Sequence, residues 1–160
     1  MTADTAFSRE LYSDMRHEFT ILSINISKER GFHKKPVSRA TLRKDHGLVG
    51  DAHAGRWHRQ VSLLASEDVE KLKEKHPNLC FDYCTENITT RGVDLSSLPV
   101  GKKLHLGAAI LQITQRGKEE QHEYALDVHP REWVNIRKGV FARVVRGAEI
   151  DTGICCFYKS

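Results

Sequence analysis

The densest chemistry in the chain lies between Arg43 and Arg59, which read R-K-D-H-G-L-V-G-D-A-H-A-G-R-W-H-R. Arg56, His58 and Arg59 fall within four positions, behind Gly47, Gly50 and Gly55. A guanidinium grips phosphate as a two-pronged fork, and glycines let backbone amides approach an anion. Trp57 sits among them and can stack on a planar ring. Phosphate joined to an aromatic ring is the ligand such a loop suits. The competing reading makes Trp57 a core residue at a strand edge and leaves the arginines in water, and local composition alone favours it.

Other clusters are less specific. Asp51, His53 and His58 have the residue types of a two-histidine, one-carboxylate metal face, as for zinc or iron. Cys80 and Cys84 are separated by three residues and Cys155 and Cys156 are adjacent. That spacing does not make a four-ligand zinc site, so the thiols read as small hydrophobes. Glu86-Asn87-Ile88-Thr89-Thr90-Arg91-Gly92 offers neutral donors and acceptors for a polar heterocycle, or equally a turn whose side chains bond their own backbone. Gly117 to Tyr124 gathers Glu119, Glu120 and Glu123 with Lys118 and His122, enough for acid–base work but also typical of a solvated loop.

The elements that must position these groups are short. Leu22, Ile24 and Ile26 alternate with Ser23, Asn25 and Ser27, which predicts a half-buried strand. Val37–Arg43 and Gln60–Leu64 are further strand candidates. Ser66–His76 is the clearest helix, with Ser66 as its cap, Glu67 and Asp68 in the first turn, Val69 and Leu72 on one face and Pro77 behind it. Ile88–Thr90 follows, then a hairpin of Lys103–Leu106 and Ala109–Gln115 about Gly107, a short helix from Pro130, and strands over Gly139–Arg146 and Ile154–Tyr158. The strands do not alternate with helices. The fold class is therefore mostly β, a closed or nearly closed, mainly antiparallel barrel with one clear helix and a few short helical turns. Residues 1–19 are expected to form a tail or frayed helix and residues 20–160 a single domain, since 160 residues suffice for one core.

Bulk properties narrow the partners. The chain is 39% hydrophobic and 29% charged, which excludes both a disordered tail and a polytopic membrane protein. No apolar run approaches the roughly 20 residues that span a bilayer. Arg9, Glu10, Asp14, Arg16 and Glu18 argue against a secretory leader, so a reducing cytoplasm is expected, with no membrane partner. A net charge of +4 with acids interspersed gives no stripe of Lys and Arg along the sequence, and nucleic acid is not an expected partner.

Taken in order, Gly47-Leu48-Val49-Gly50-Asp51-Ala52-His53-Ala54-Gly55-Arg56-Trp57-His58-Arg59-Gln60-Val61-Ser62-Leu63-Leu64, Glu86-Asn87-Ile88-Thr89-Thr90, Leu98-Pro99-Val100-Gly101-Lys102-Lys103-Leu104, Gly117-Lys118 and Gly139-Val140-Phe141-Ala142-Arg143-Val144 resemble a small stand-alone MOSC domain. This family is named for the C-terminal domain of molybdenum-cofactor sulfurases. The likeness runs from about Ile21 to Gly153. It implies a β-barrel that binds the molybdenum cofactor, a phosphorylated pterin holding the metal through a dithiolene. It also implies sulfur carriage, maturation of molybdoenzymes or, in some branches, reduction of N-hydroxylated compounds. Arg56, His58 and Arg59 then fall at the phosphate end, and Asn87, Thr89 and Thr90 at the pterin end.

The reactive family Cys falls at Glu120, and two further family Cys positions fall at Tyr124 and near Trp133. Glutamate forms no persulfide and is an oxygen ligand where a thiolate is expected. Three readings follow. Glu120 ligates molybdenum or orients water on it. A thiol from Cys80, Cys84, Cys155 or Cys156 enters the site instead. Or the domain is non-catalytic, docking on molybdoenzymes or cofactor-assembly proteins.

Overall fold

A computed structural model describes residues 15–31, 33–117 and 130–160. The strands are β1 (Arg16–Ile26), β2 (Lys35–Val37), β3 (Arg39–Arg43), β4 (Gly47–Leu48), β5 (Val61–Ala65), β6 (Ile88–Arg91), β7 (Lys103–Leu106), β8 (Ala109–Arg116), β9 (Val140–Arg146), β10 (Ala148–Asp151) and β11 (Cys156–Lys159). The helices are α1 (Ser66–Lys75) and α2 (Pro130–Lys138), with one 3-10 turn at Leu95–Ser97. Seven strands close a barrel in the order β11-β7-β8-β9-β5-β6-β1, and β11 returns to β1. β2 extends the sheet beside β1, while β10, β3 and β4 form a small second sheet.

The barrel is antiparallel except at β5 and β6, which run parallel and are joined through α1. A parallel pair needs such a crossover, and the helix covers the outside of the two strands. This accounts for β5, whose five residues are all buried. Leu63 faces the barrel core with Ile24, Ile88 and Leu111, whereas Leu64 faces a second cluster with Val69 of α1, Phe81 and Val134 of α2. Among the described residues, no helix is long and apolar enough to cross a membrane.

Local expectations are corrected, the first at the N-terminal boundary: β1 begins at Arg16, so residues 16–19 are strand rather than tail or frayed helix. The alternation at Leu22, Ile24 and Ile26 breaks at a register shift between Ile21 and Ser23. The bulge turns Leu22 outward, 42% exposed, and buries Ile21 in its place. Ser66 does not cap α1. The chain passes straight from β5 into the helix, so Ala65 occupies the cap position and no side chain caps it. The segment between Arg43 and Arg59 also carries more structure than its glycines suggest, because β4 pairs with β3 and Leu48 is fully buried.

Gly47 fixes the entry to that segment. Its φ is +120°, and a Cβ there would lie 2.6 Å from the Gln60 carbonyl oxygen. Gly47→Ala is expected to destabilise the protein by about 1–3 kcal/mol in urea melts, from strain and forced backbone displacement together. An unchanged midpoint would show that the loop is not held against β5 as described.

Candidate functional site

A cleft of about 280 Å³ opens beside the starts of β5, β6 and β9. The loop before β5 supplies His53, Trp57 and Arg59, the loop after β1 supplies Lys34, the segment before β6 supplies Thr85 and Asn87, and α2 supplies Glu132 and Asn135. Ser62 and Phe141 complete its walls.

Arg59 lies two residues before the rigid β5 and is half-buried. Its guanidinium lies 5.1 Å over the Phe141 ring, a cation–π arrangement, and its Nε donates to Gln115 Oε1 at 3.0 Å. Gln115 Nε2 donates to the Gly117 carbonyl, which fixes Oε1 as the acceptor. His58 Nε2, also 3.0 Å from Oε1, is therefore the protonated nitrogen of that ring. No carboxylate among the described residues pairs with Arg59. A half-buried cation with no carboxylate partner among the described residues thus stands in the wall of the cleft, whose lining also includes Glu132. Arg56 and His58 are exposed on the same loop, outside the lining.

Lys34 is the second cation of the cleft, and sequence reasoning missed it. Its side chain is 6% exposed, and its Nζ donates to Asp51 Oδ1 at 2.8 Å. The Asp51 carboxylate is fully buried and also accepts from the Ser27 and His53 amides. Burial alone pushes its pKa up. The hydrogen bond from Lys34, the Ser27 amide and the Lys34 charge outweigh that, and the carboxyl is held below the ordinary range. Lys34 Nζ also lies 3.3 Å from His53 Nδ1. An ammonium only donates, so Nδ1 accepts and Nε2 carries the hydrogen.

The metal face proposed for Asp51, His53 and His58 is not assembled. Asp51 is committed to Lys34 and two amides, and His58 turns to Gln115. Among the described residues, no three His, Cys, Asp or Glu side chains are placed to hold a metal ion. Trp57 is 39% exposed and lines the cleft, so it is not a core residue. Its Nε1 donates to the His53 carbonyl at 2.8 Å, tying the loop together.

Asn87 lines the cleft but its amide is committed to the fold. Oδ1 accepts from the Ser62 amide and hydroxyl, and Nδ2 donates to the Asn25 carbonyl. Thr89 and Thr90 are buried and lie outside the lining. Thr89 Oγ1 donates to Glu86 Oε1 at 2.6 Å. Asn135, also missed in the sequence, is 3% exposed and lines the cleft. Its Oδ1 has no hydrogen-bond partner among the described residues, an unmet demand for a donor.

Glu120 and Tyr124 lie outside the described residues. None of the four cysteines lines the cleft, so the substitute-thiol reading does not hold there. Cys84 is nearest in the chain, one residue before Thr85. Burial, then the Glu86 charge, push its thiol pKa up, the opposite of what a reactive thiolate needs. Burial pushes Cys156 up to about 12.

Residues 50–154 match the MOSC domain family. The chain belongs to that family. Among solved structures, it is similar to the YUAD protein from Bacillus subtilis at a TM-score of 0.68 and 17% identity, over 92% of this chain and 99% of that one. It is also similar to YiiM from Escherichia coli, at a TM-score of 0.64 and 17% identity over 89% of this chain and 70% of that one. YiiM from Geobacillus stearothermophilus gives 0.62 and 18%, over 89% and 75%. These likenesses show the fold. No curated protein matches the chain. Membership connects this MOSC domain to the molybdenum cofactor at the level of the family.

Proposed function

We propose that the cleft binds the phosphorylated pterin of the molybdenum cofactor. The observation that carries this is the pair of cations, Arg59 and Lys34, in the wall of a cleft that also holds the Trp57 ring. Arg59 takes the phosphate, as a fork already oriented by Phe141 and Gln115. Lys34 adds a second ammonium whose position Asp51 fixes. Trp57 offers a ring on which the pterin can stack. When bound, the cofactor supplies a molybdenum centre for redox or atom-transfer chemistry. Of the residues expected from the sequence, Arg59 keeps the phosphate role. Arg56 stands exposed on the same loop, where its charge raises the local positive potential, and His58 donates to Gln115 beside Arg59. Asn87, Thr89 and Thr90 build the wall behind it.

The test uses the full chain and isolated molybdopterin, read by quenching of Trp fluorescence. Arg59→Ala is expected to weaken binding by about 1.5–3 kcal/mol, the range for a hydrogen bond to a charged group. The loss is expected to shrink when the ligand is first dephosphorylated. Equal affinity of Arg59→Ala and the native chain for the phosphorylated ligand would sink the assignment.

A further inference from the structure

A second surface, on the outside of the barrel, is built by β1, β11, β7, β8 and β9. Directly opposed residues of an antiparallel pair project to the same side. Arg16 opposes Lys159 and Glu18 opposes Phe157. Phe157 opposes His105, and two residues further along each strand Lys159 and Lys103 share the same face. Across β8, Lys103 opposes Gln112 and His105 opposes Ile110. Across β9, Gln112 opposes Arg143 and Ile110 opposes Arg146.

Two neighbouring rows result. One runs Arg16, Lys159, Lys103, Gln112, Arg143. The other runs Glu18, Phe157, His105, Ile110, Arg146. Glu18 is the one carboxylate side chain in either row. Arg16, Lys103, Arg143, Arg146 and Lys159 are all exposed. Positions far apart in the chain are thus collected on one surface, which is why the sequence shows no basic stripe.

The arginines on this face engage neutral groups. Arg143 donates through Nε and Nη2 to Gln112 Oε1, and Arg146 Nε donates to the Ala108 carbonyl at 2.8 Å. Arg16 lies 4.4 Å over the Phe157 ring, and His105 stacks on the same ring at 4.5 Å. Lys102 Nζ reaches the Lys159 carbonyl at 2.9 Å, which adds a further ammonium at the edge. Lys102, Lys103, His105 and Lys159 line a shallow groove of about 540 Å³. Burial first, then Arg146, Lys159, Arg16 and Lys103, hold the His105 imidazole below its ordinary pKa, so four cations act on one ring. The groove shares no lining residue with the cleft.

A surface of this kind attracts a polyanion. A folded acidic protein needs an apolar centre with anchor side chains, and here Phe157 is already covered by Arg16 and His105. A duplex is a stiff, convex cylinder, and the convex outside of a closed barrel meets few of its phosphates at once, whereas a single strand bends to follow the cations. A row of cations one strand apart, about 4.8 Å per step, suits a flexible chain of phosphates laid across the strands. We propose that this face binds single-stranded nucleic acid through its phosphodiester backbone, without reading sequence.

The test is fluorescence anisotropy of the full chain with labelled oligouridylate and oligothymidylate of about 12 nucleotides, between about 50 and 200 mM salt. Both strands are expected to bind equally, with affinity falling steeply as salt rises. Lys103→Ala with Lys159→Ala is expected to weaken binding at least tenfold at low salt. It should also flatten the log–log salt slope by about 1.4, at ~0.7 per lost phosphate contact. Circular dichroism melting confirms that this variant is folded. Arg59→Ala is expected to bind the strands as the native chain does, which separates this face from the cleft. The His105 pKa, followed by NMR, is expected to rise when the strand binds. Absence of binding at low salt, binding indifferent to the double substitution, or equally tight binding of a duplex, of polyglutamate or of anionic vesicles would each overturn the proposal.

Discussion

Arg131→Ala is expected to destabilise the protein by about 3–5 kcal/mol, because it strands a buried carboxylate. The Glu86 side chain is fully buried, and Arg131 Nη2 reaches its Oε1 at 2.5 Å from α2. The same carboxylate accepts from Thr89 Oγ1 and from the Thr85 amide. Burial alone drives the Glu86 pKa up, but the Arg131 bond and charge and the Thr89 hydroxyl outweigh it, and the folded value lies below the ordinary one. The pair's stabilisation is therefore complete above the unfolded carboxylate pKa, about 4.3, and is lost as pH falls through the folded value. In Arg131→Ala the sign reverses. Burial raises the lone carboxyl above its unfolded pKa, and protonation then favours the folded state. Urea melts at a series of pH values are expected to show the two proteins far apart at neutrality and converging in acid. Parallel curves would show that the loss comes from packing of α2 rather than from the ion pair.

The barrel was legible from the sequence because the strands are short, bounded by glycines, and not interleaved with helices. The β7–β8 hairpin about Gly107 and the core strand β9 follow from local pattern alone. What escaped were features decided by pairing partners. The bulge that turns Leu22 outward depends on the register of β1 against β6. The short β10 carries only Ile150 as a fully buried residue and is a strand because β3 lies beside it.

The site divides in the same way. Arg59, which lines the cleft, stood out in the sequence because it lies in a Gly-rich basic segment two residues before a strand. Thr89 and Thr90 fall outside the cleft lining for a physical reason. On β6, between β1 and β5, both side chains are enclosed in the wall of the barrel rather than presented at its mouth. Lys34 had no local signal, being one of two adjacent lysines in a polar loop. The usable clue was its partner. Asp51, in a loop dense in glycine, cannot be buried without a cation, and that cation must come from elsewhere in the chain. Asn135 was hidden more completely, since a single amide in a short helix carries no pattern at all.

Asp51→Leu is expected to cost about 3–5 kcal/mol, by leaving the Lys34 ammonium buried without its counterion and the Ser27 and His53 amides without an acceptor. Lys34→Met is expected to cost a similar amount by stranding the carboxylate. The pair together, Asp51→Leu with Lys34→Met, is expected to recover part of the loss, because no charge is left buried alone, while the Ser27 and His53 amides still lack their acceptor. Urea melts of the four proteins form a double-mutant cycle, and a coupling near zero would show that the two charges stabilise the fold independently. Affinity for the phosphorylated pterin gives the cycle a second readout. Stability is expected to return in part in the double variant while binding stays weak, because the Lys34 ammonium is gone and Arg59 alone is left for the phosphate. That divergence would separate the two roles of Lys34, counterion to Asp51 within the fold and donor to a ligand in the cleft.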